Sequence, residues 1–204
     1  MAVEAGWRRV LAAAALGLSA LGAAAQTVPA AAASAPAAAL PIANCVACHG
    51  PGGSSQLPET PSIAGQPRLF IENQLVLMRE GLRDVPVMKP HVERLTDEQI
   101  GALARHFAAQ TAVPMPLTVR PAQRLRGAEL SRRALCGTCH LADYTGQHQV
   151  PRLAGQNEAY LLYALKQFRD HPGPGRDTIM AASLHGMNDG DLADLAHYFA
   201  SNRP

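Results

Sequence analysis

Aromatic side chains make up only 4% of this 204-residue chain, so its cores must be filled in some other way. An excess of charge of either sign is also missing, because a formal net charge of +2 is too small to point to a nucleic-acid partner. No stretch shows the apolar–polar alternation of a half-buried strand, which excludes a sheet-based fold. The uninterrupted apolar run from Val10 to Ala25 is 16 residues, short of the roughly 20 needed to span a bilayer. Finally, no cysteine is left over. The chain has four, arranged as two Cys-x-x-Cys pairs, and none remains for a disulfide.

Each pair is followed at once by histidine: Cys45-Val46-Ala47-Cys48-His49 and Cys136-Gly137-Thr138-Cys139-His140. This spacing is the signature of covalent c-type haem attachment. Each thiol adds to one vinyl group, and the adjacent histidine is delivered to the iron as an axial ligand. A zinc-binding or redox-active Cys-x-x-Cys with a chance histidine is the competing reading of one copy, and the second copy weighs against it. Two haems are therefore expected, with Cys45, Cys48, Cys136 and Cys139 as attachment points and His49 and His140 on the irons. A buried porphyrin in each unit would also make up for the missing aromatics. Its propionates would make the finished protein more negative, so no strongly basic docking face is expected.

The N-terminus reads as an export signal over residues 1–25. Arg8 and Arg9 precede the apolar run, and Ala23-Ala24-Ala25 offers a small-residue cleavage site. Glu4 is untypical of such a segment, and an uncleaved membrane anchor is the rival reading. Removal of the signal takes two Arg and one Glu, leaving a formal charge of +1. Export agrees with haem attachment outside the bacterial cytoplasm and places the protein in the periplasm. Residues 26–41 are mostly Ala, punctuated by Pro29, Pro36 and Pro41, and read as a flexible lead.

The remainder is an internal repeat. Pro61-Ser62-Ile63-Ala64-Gly65-Gln66 returns 90 residues later as Pro151-Arg152-Leu153-Ala154-Gly155-Gln156, with Phe70 and Leu75 matching Tyr160 and Leu165. His106-Phe107-Ala108 returns 92 residues later as Tyr198-Phe199-Ala200. Two homologous units are expected, 42–112 and 122–204, joined by a Pro-rich linker at 113–121. Within each unit the apolar spacing is helical. Ile100, Leu103, Ala104, Phe107 and Ala108 form one face, repeated by Leu192, Leu195, Ala196, Phe199 and Ala200. Thr96 with Gln99 predicts a capping box, and Asn188 a helix cap. Both units are therefore read as all-α.

The second axial ligand decides the chemistry, since Met favours electron transfer at raised potential and an open position favours peroxidase-like chemistry. Met88 lies 39 residues after His49, and Met180 lies 40 after His140. Both stand seven residues before matching positions, Leu95 and Met187, so Met88 and Met180 are the expected ligands. Met187 and Met78 are read as packing, and Met115 as part of the linker. His91 and His185 are rivals but do not occupy equivalent places. His106, His148, His171 and His197 are read as solvent-facing or capping. Pro61 and Pro151 sit where a backbone carbonyl could orient the ligating histidines.

These motifs together resemble the dihaem class I cytochromes c of the cytochrome c-four type. The resemblance covers about residues 42–204. It implies two small helical domains in pseudo-twofold arrangement, with haem propionates facing one another. It also implies a periplasmic electron carrier, often associated with the inner membrane and feeding a terminal oxidase. Such domains usually begin with a Gly-containing helix before the haem motif. The second unit has one through Gly127, Leu130 and Leu135. The first has only Pro41-Ile42-Ala43-Asn44, so its haem is expected to be more exposed, or covered by the lead or by a partner.

The reading is an electron-transfer protein rather than an enzyme, working between respiratory partners such as a quinol-oxidising complex, a dehydrogenase or a terminal oxidase. The alternative is the dihaem electron-accepting subunit of a periplasmic dehydrogenase, for instance a flavin-containing sulfide-oxidising enzyme. A dihaem peroxidase is a third reading, against which the paired methionines argue.

Overall fold

The computed structural model describes residues 40–203, and the expected export signal and most of the expected Ala-rich lead lie outside the described residues. Every regular element among the described residues is helical, and one isolated antiparallel bridge joins Gln147 to Val150. The first half contains α1 (Ile42–His49), α2 (Arg68–Arg79), α3 (Lys89–Val92) and α4 (Asp97–Ala108). The second contains α5 (Pro121–Arg133), α6 (Cys136–His140), α7 (Glu158–Asp170), α8 (Thr178–Ser183) and α9 (Asp189–Ser201). None of these helices is long and apolar enough to cross a membrane.

Local sequence explains where the helices start. Thr96 and Gln99 form the full capping box at α4, and Asn188 with Asp191 forms its counterpart at α9. Asp177 caps α8 by accepting from the Met180 amide at 2.8 Å. Pro121 occupies the first position of α5, where its fixed φ suits a helix start and its missing N–H costs nothing.

Each half closes on its own apolar core. Ile71, Val92, Ile100, Leu103, Ala104 and Phe107 form the first, and Leu161, Leu184, Leu192, Leu195, Ala196 and Phe199 the second. The two lists correspond position by position. The correspondence extends to polar anchors. Arg79 at the end of α2 donates to the Leu95 carbonyl at 2.9 Å and pairs with Asp97 at 2.8 Å. Arg169 at the end of α7 donates to the Met187 carbonyl at 3.0 Å and pairs with Asp189 at 2.6 Å. Met187 thus takes the structural place of Leu95, as the repeat predicts.

The halves differ before the haem motifs. Helix α5 crosses α9 at Gly127, where an added Cβ would lie 2.1 Å from the Asp194 carbonyl oxygen. Arg126 forks onto the Asp194 carboxylate at 2.6 and 2.8 Å, fixing the crossing. Among the described residues, no such helix crosses α4. Helix α5 ends at Arg133, so Leu135 is not part of it. Leu135 is exposed in left-handed geometry (φ 57°) and starts α6 as a separate turn. Burial of His197 is a second departure. Expected to be solvent-facing or capping, it is instead fully enclosed. Its Nε2 accepts from the Arg120 amide at 2.9 Å, and its Nδ1 faces a Glu158 carboxylate oxygen at 3.1 Å. The arrival of the linker and α7 over α9 buries it, and neither is visible in the periodicity of α9.

The halves meet through their repeated loops. The Gln66 side chain exchanges hydrogen bonds with the backbone of Arg152, donating at 3.0 Å and accepting at 2.9 Å. Gln156 does the same with Ser62, both at 2.8 Å. Asn157 adds donors toward the Leu57 and Thr60 carbonyls of the first half. A second meeting point joins the loops ahead of the two methionines, where a Cβ on Gly175 would lie 2.2 Å from the Leu82 carbonyl oxygen.

Two outcomes are expected. Gly127→Ala should destabilise the second half by about 1–3 kcal/mol through overpacking against α9, read by denaturant or thermal unfolding of the holoprotein. Burial, with the neighbouring Tyr144 hydroxyl, pushes the Tyr198 phenol up to about 12. The unfolded phenol ionises near pH ~10, so stability present below that pH is lost as pH rises toward about 12. Tyr198→Phe should flatten that alkaline loss in melting curves taken across the same window.

Candidate haem sites

The first site begins at α1. Cys45 and Cys48 stand three apart on one helix, which brings both thiols to one face, and His49 closes the helix. Gly50 then turns the chain with φ 77°, a left-handed value that favours glycine. In the second site Leu141 occupies this position at φ 68°, so the same turn is made there against the preference of a side chain. Cys136, Cys139 and His140 repeat the arrangement on α6. None of the four cysteines is paired in a disulfide. Burial pushes the Cys45 and Cys136 thiols up, whereas Cys48 and Cys139 are exposed.

Both histidines are buried and held in the same way. His49 Nδ1 lies 2.8 Å from the Pro61 carbonyl oxygen, and His140 Nδ1 lies 2.8 Å from that of Pro151. A carbonyl can only accept, so Nδ1 carries the proton in each ring and Nε2 is left with its lone pair. Burial also pushes both imidazoles below the usual range, which favours the neutral ring despite the opposing effect of the carbonyl. Neutral imidazole with one bare nitrogen, next in sequence to a pair of cysteines with no disulfide partner, is the donor set that a covalently attached haem requires. The residues present fit that group in both halves.

The loops bearing the prolines are built to hold still. The Gly53 carbonyl accepts from the Ile63 and Ala64 amides, and the Tyr144 carbonyl accepts from those of Leu153 and Ala154. The Gly65 amide then bonds to the Phe107 carbonyl at 2.9 Å, and the Gly155 amide to that of Phe199 at 3.0 Å. Each proline carbonyl is thereby tied to the last turn of its closing helix.

Met88 precedes α3 and Met180 lies in α8, and both side chains pack against their cores while remaining partly open. Met78 and Met187 pack against the cores as well, while His91 and His185 are exposed. A groove of about 690 Å³ is lined by Leu125, Ser131, Leu135, Gly137, Tyr144 and Tyr198, and none of the candidate ligands lines it. Gln66, Gln156 and Asn157 have roles in the structure that no motif of the sequence announces. The two glutamines could have been noticed as an identical polar pair at the end of each loop, off any helical face.

Comparison with known proteins follows the same division. Residues 125–203 match the family model for cytochrome c, and residues 32–106 match the model for cytochrome c oxidase, cbb3-type, subunit III. A cytochrome c4 of Thiocapsa roseopersicina is 32% identical over 165 residues, covering 76% of this chain and 84% of that protein. A thiosulfate dehydrogenase electron acceptor of Thiomonas intermedia is 35% identical over 205 residues, covering 95% of this chain and 91% of that protein. The crystal structure of reduced recombinant cytochrome c4 from Pseudomonas stutzeri superposes with a TM-score of 0.74 at 26% identity, over 80% of this chain and 95% of that one. Two haem-type motifs in two helical halves, with relatives of this length and kind, leave one conclusion: the chain belongs to the cytochrome c4 family of dihaem class I cytochromes c and carries two covalently bound haem c groups.

Proposed function

We propose that the protein is a periplasmic two-haem electron carrier, with one haem in residues 42–112 and the other in residues 122–204. Cys45, Cys48 and His49 hold the first, with Met88 as the second axial ligand. Cys136, Cys139, His140 and Met180 hold the second. The observation that carries this reading is the matched pair of histidines, each buried with Nδ1 bonded to a proline carbonyl at 2.8 Å. Bound haem iron supplies a one-electron couple, and its chemistry belongs to the cofactor. The chain's own residues supply ligand choice, burial and rigidity. Pro61 and Pro151 fix the imidazole orientation, and the closing helices α4 and α9 hold those prolines. Methionine as second ligand favours the ferrous state and leaves no open position for a substrate, which argues for a carrier rather than an enzyme.

The partners are redox proteins on either side of the carrier, and no nucleic acid is expected among them. A donor of the thiosulfate-dehydrogenase kind is favoured by one specific observation. The relative from Thiomonas intermedia aligns over 95% of this chain and is described as the electron acceptor of that enzyme. This narrows the alternative of a dehydrogenase subunit to a named chemistry. An oxidase-feeding shuttle associated peripherally with the inner membrane is the broader reading.

The ligand set is tested by optical spectroscopy of the ferric holoprotein. The long-wavelength methionine-to-iron band should be present, and Met88→Ala and Met180→Ala should each remove one haem's share of it and lower that haem's potential. Met187→Leu should leave the band intact, and loss of the band in that variant would sink the assignment of Met180. The donor is tested by mixing the ferric protein with a thiosulfate dehydrogenase and thiosulfate. Rapid haem reduction supports the narrower reading, and reduction no faster than with thiosulfate alone removes it.

A further inference from the structure

Each axial histidine donates to the carbonyl of a peptide group whose N–H belongs to the next residue. The Pro61 carbonyl accepts from His49, and the other end of that peptide, the Ser62 amide, donates to Gln156 Oε1 at 2.8 Å. The mirror image holds in the second half. The Pro151 carbonyl accepts from His140, and the Arg152 amide donates to Gln66 Oε1 at 2.9 Å. Gln66 lies in the first half and Gln156 in the second, so both chains of hydrogen bonds cross the interface. Both glutamines and Ser62 are buried, so water cannot readily replace the amide acceptor.

We propose that Gln66 and Gln156 are positioning residues that set the electron affinity of the haem held by the opposite half, each acting through one peptide group on that half's axial histidine. The proposal rests on the axial assignment of His49 and His140. A peptide that donates from its N–H becomes a better acceptor at its C=O, because hydrogen bonds in a chain polarise one another. A better acceptor draws the Nδ1 proton outward and makes Nε2 a stronger electron donor, which favours the ferric iron. Each glutamine therefore lowers the potential of the haem across the interface. The second bond of each side chain, to the carbonyl of Ser62 or of Arg152, clamps the far side of the same residue and holds the peptide in line. The two relays are unequal. Gln156 Oε1 also accepts from the Asn157 amide at 2.9 Å, so it is shared between two donors. Gln66 Oε1 has only the Arg152 amide among the described residues.

The test is a redox titration of the holoprotein followed by NMR, which separates the two haems, with the histidine Nδ1–H resonances read in the reduced form. Gln156→Leu should move the His49 resonance and favour reduction of the first haem, by about two- to ten-fold in its redox equilibrium constant, the reach of one net hydrogen bond. The second haem should change less. Gln66→Leu should do the reverse. Should one variant fail to mature with both haems, the other reads the mirrored relay. Asn157→Ala, which removes the side-chain donors to the Leu57 and Thr60 carbonyls but keeps both glutamine bonds, should move the His49 resonance less than Gln156→Leu does and leave that of His140 in place. The proposal is overturned if each glutamine variant moves the haem of its own half, moves both alike, or moves neither. Absence of haem-bound imidazole resonances from the parent protein would instead overturn the axial assignment beneath it.

Discussion

The hydrogen bond from a buried histidine to a proline carbonyl is the constraint around which each half is arranged. It fixes the tautomer, leaves the Nε2 lone pair free, and requires the proline loop to stand within 2.8 Å of the ring. The loop is held by amides bonded to the Gly53 or Tyr144 carbonyl and by a glycine bonded to the closing helix. The closing helix is held by its capping box and by an arginine that ties the end of α2 or of α7 to its start. Loosening any of these would move the carbonyl, and with it the imidazole that the carbonyl orients.

What was legible in the sequence was what is local or repeated. Thr96, Gln99 and Asn188 announced helix starts through side chains that bond within a single turn, so no distant partner was needed. The equal spacing of Met88 to Leu95 and Met180 to Met187 located the methionine loops, and the arginine anchors at Leu95 and Met187 show the same registration in three dimensions. Burial of His197 was not legible, because it comes from Arg120 and Glu158, 77 and 39 residues away in sequence. The break between α5 and α6 at Leu135 was hidden for a different reason. Leucine is a strong helix former, and only the competing demand of the haem motif for its own turn puts it at φ 57°.

The candidate sites were legible in their covalent chemistry and less so in their surroundings. Five residues in a fixed pattern specify attachment, but the repeat could not say that Gln66 and Gln156 would reach into each other's loops. A repeated residue shares an environment with its copy, and only the assembled fold shows that the environment is the copy itself. The departures from symmetry are similarly invisible in one dimension. Asn157 stands where Pro67 stands in the first half, and it spends its side chain on carbonyls of the opposite loop rather than on capping its own helix.

The exchange at the interface obeys the rule of a two-subunit assembly about a twofold axis, in which residue i of one copy meets j of the other and j meets i. Gln66 with Arg152 and Gln156 with Ser62 are such a pair of reciprocal contacts. The linker turns that assembly into one chain, so separation of the halves becomes a local opening with no dependence on concentration. Joining also frees the copies to diverge. An unlinked dimer would be forced to place the same residue on both sides, whereas this chain sets serine against one glutamine and arginine against the other. Two chemically identical cofactors can therefore sit in environments that only a fused pair is able to make different.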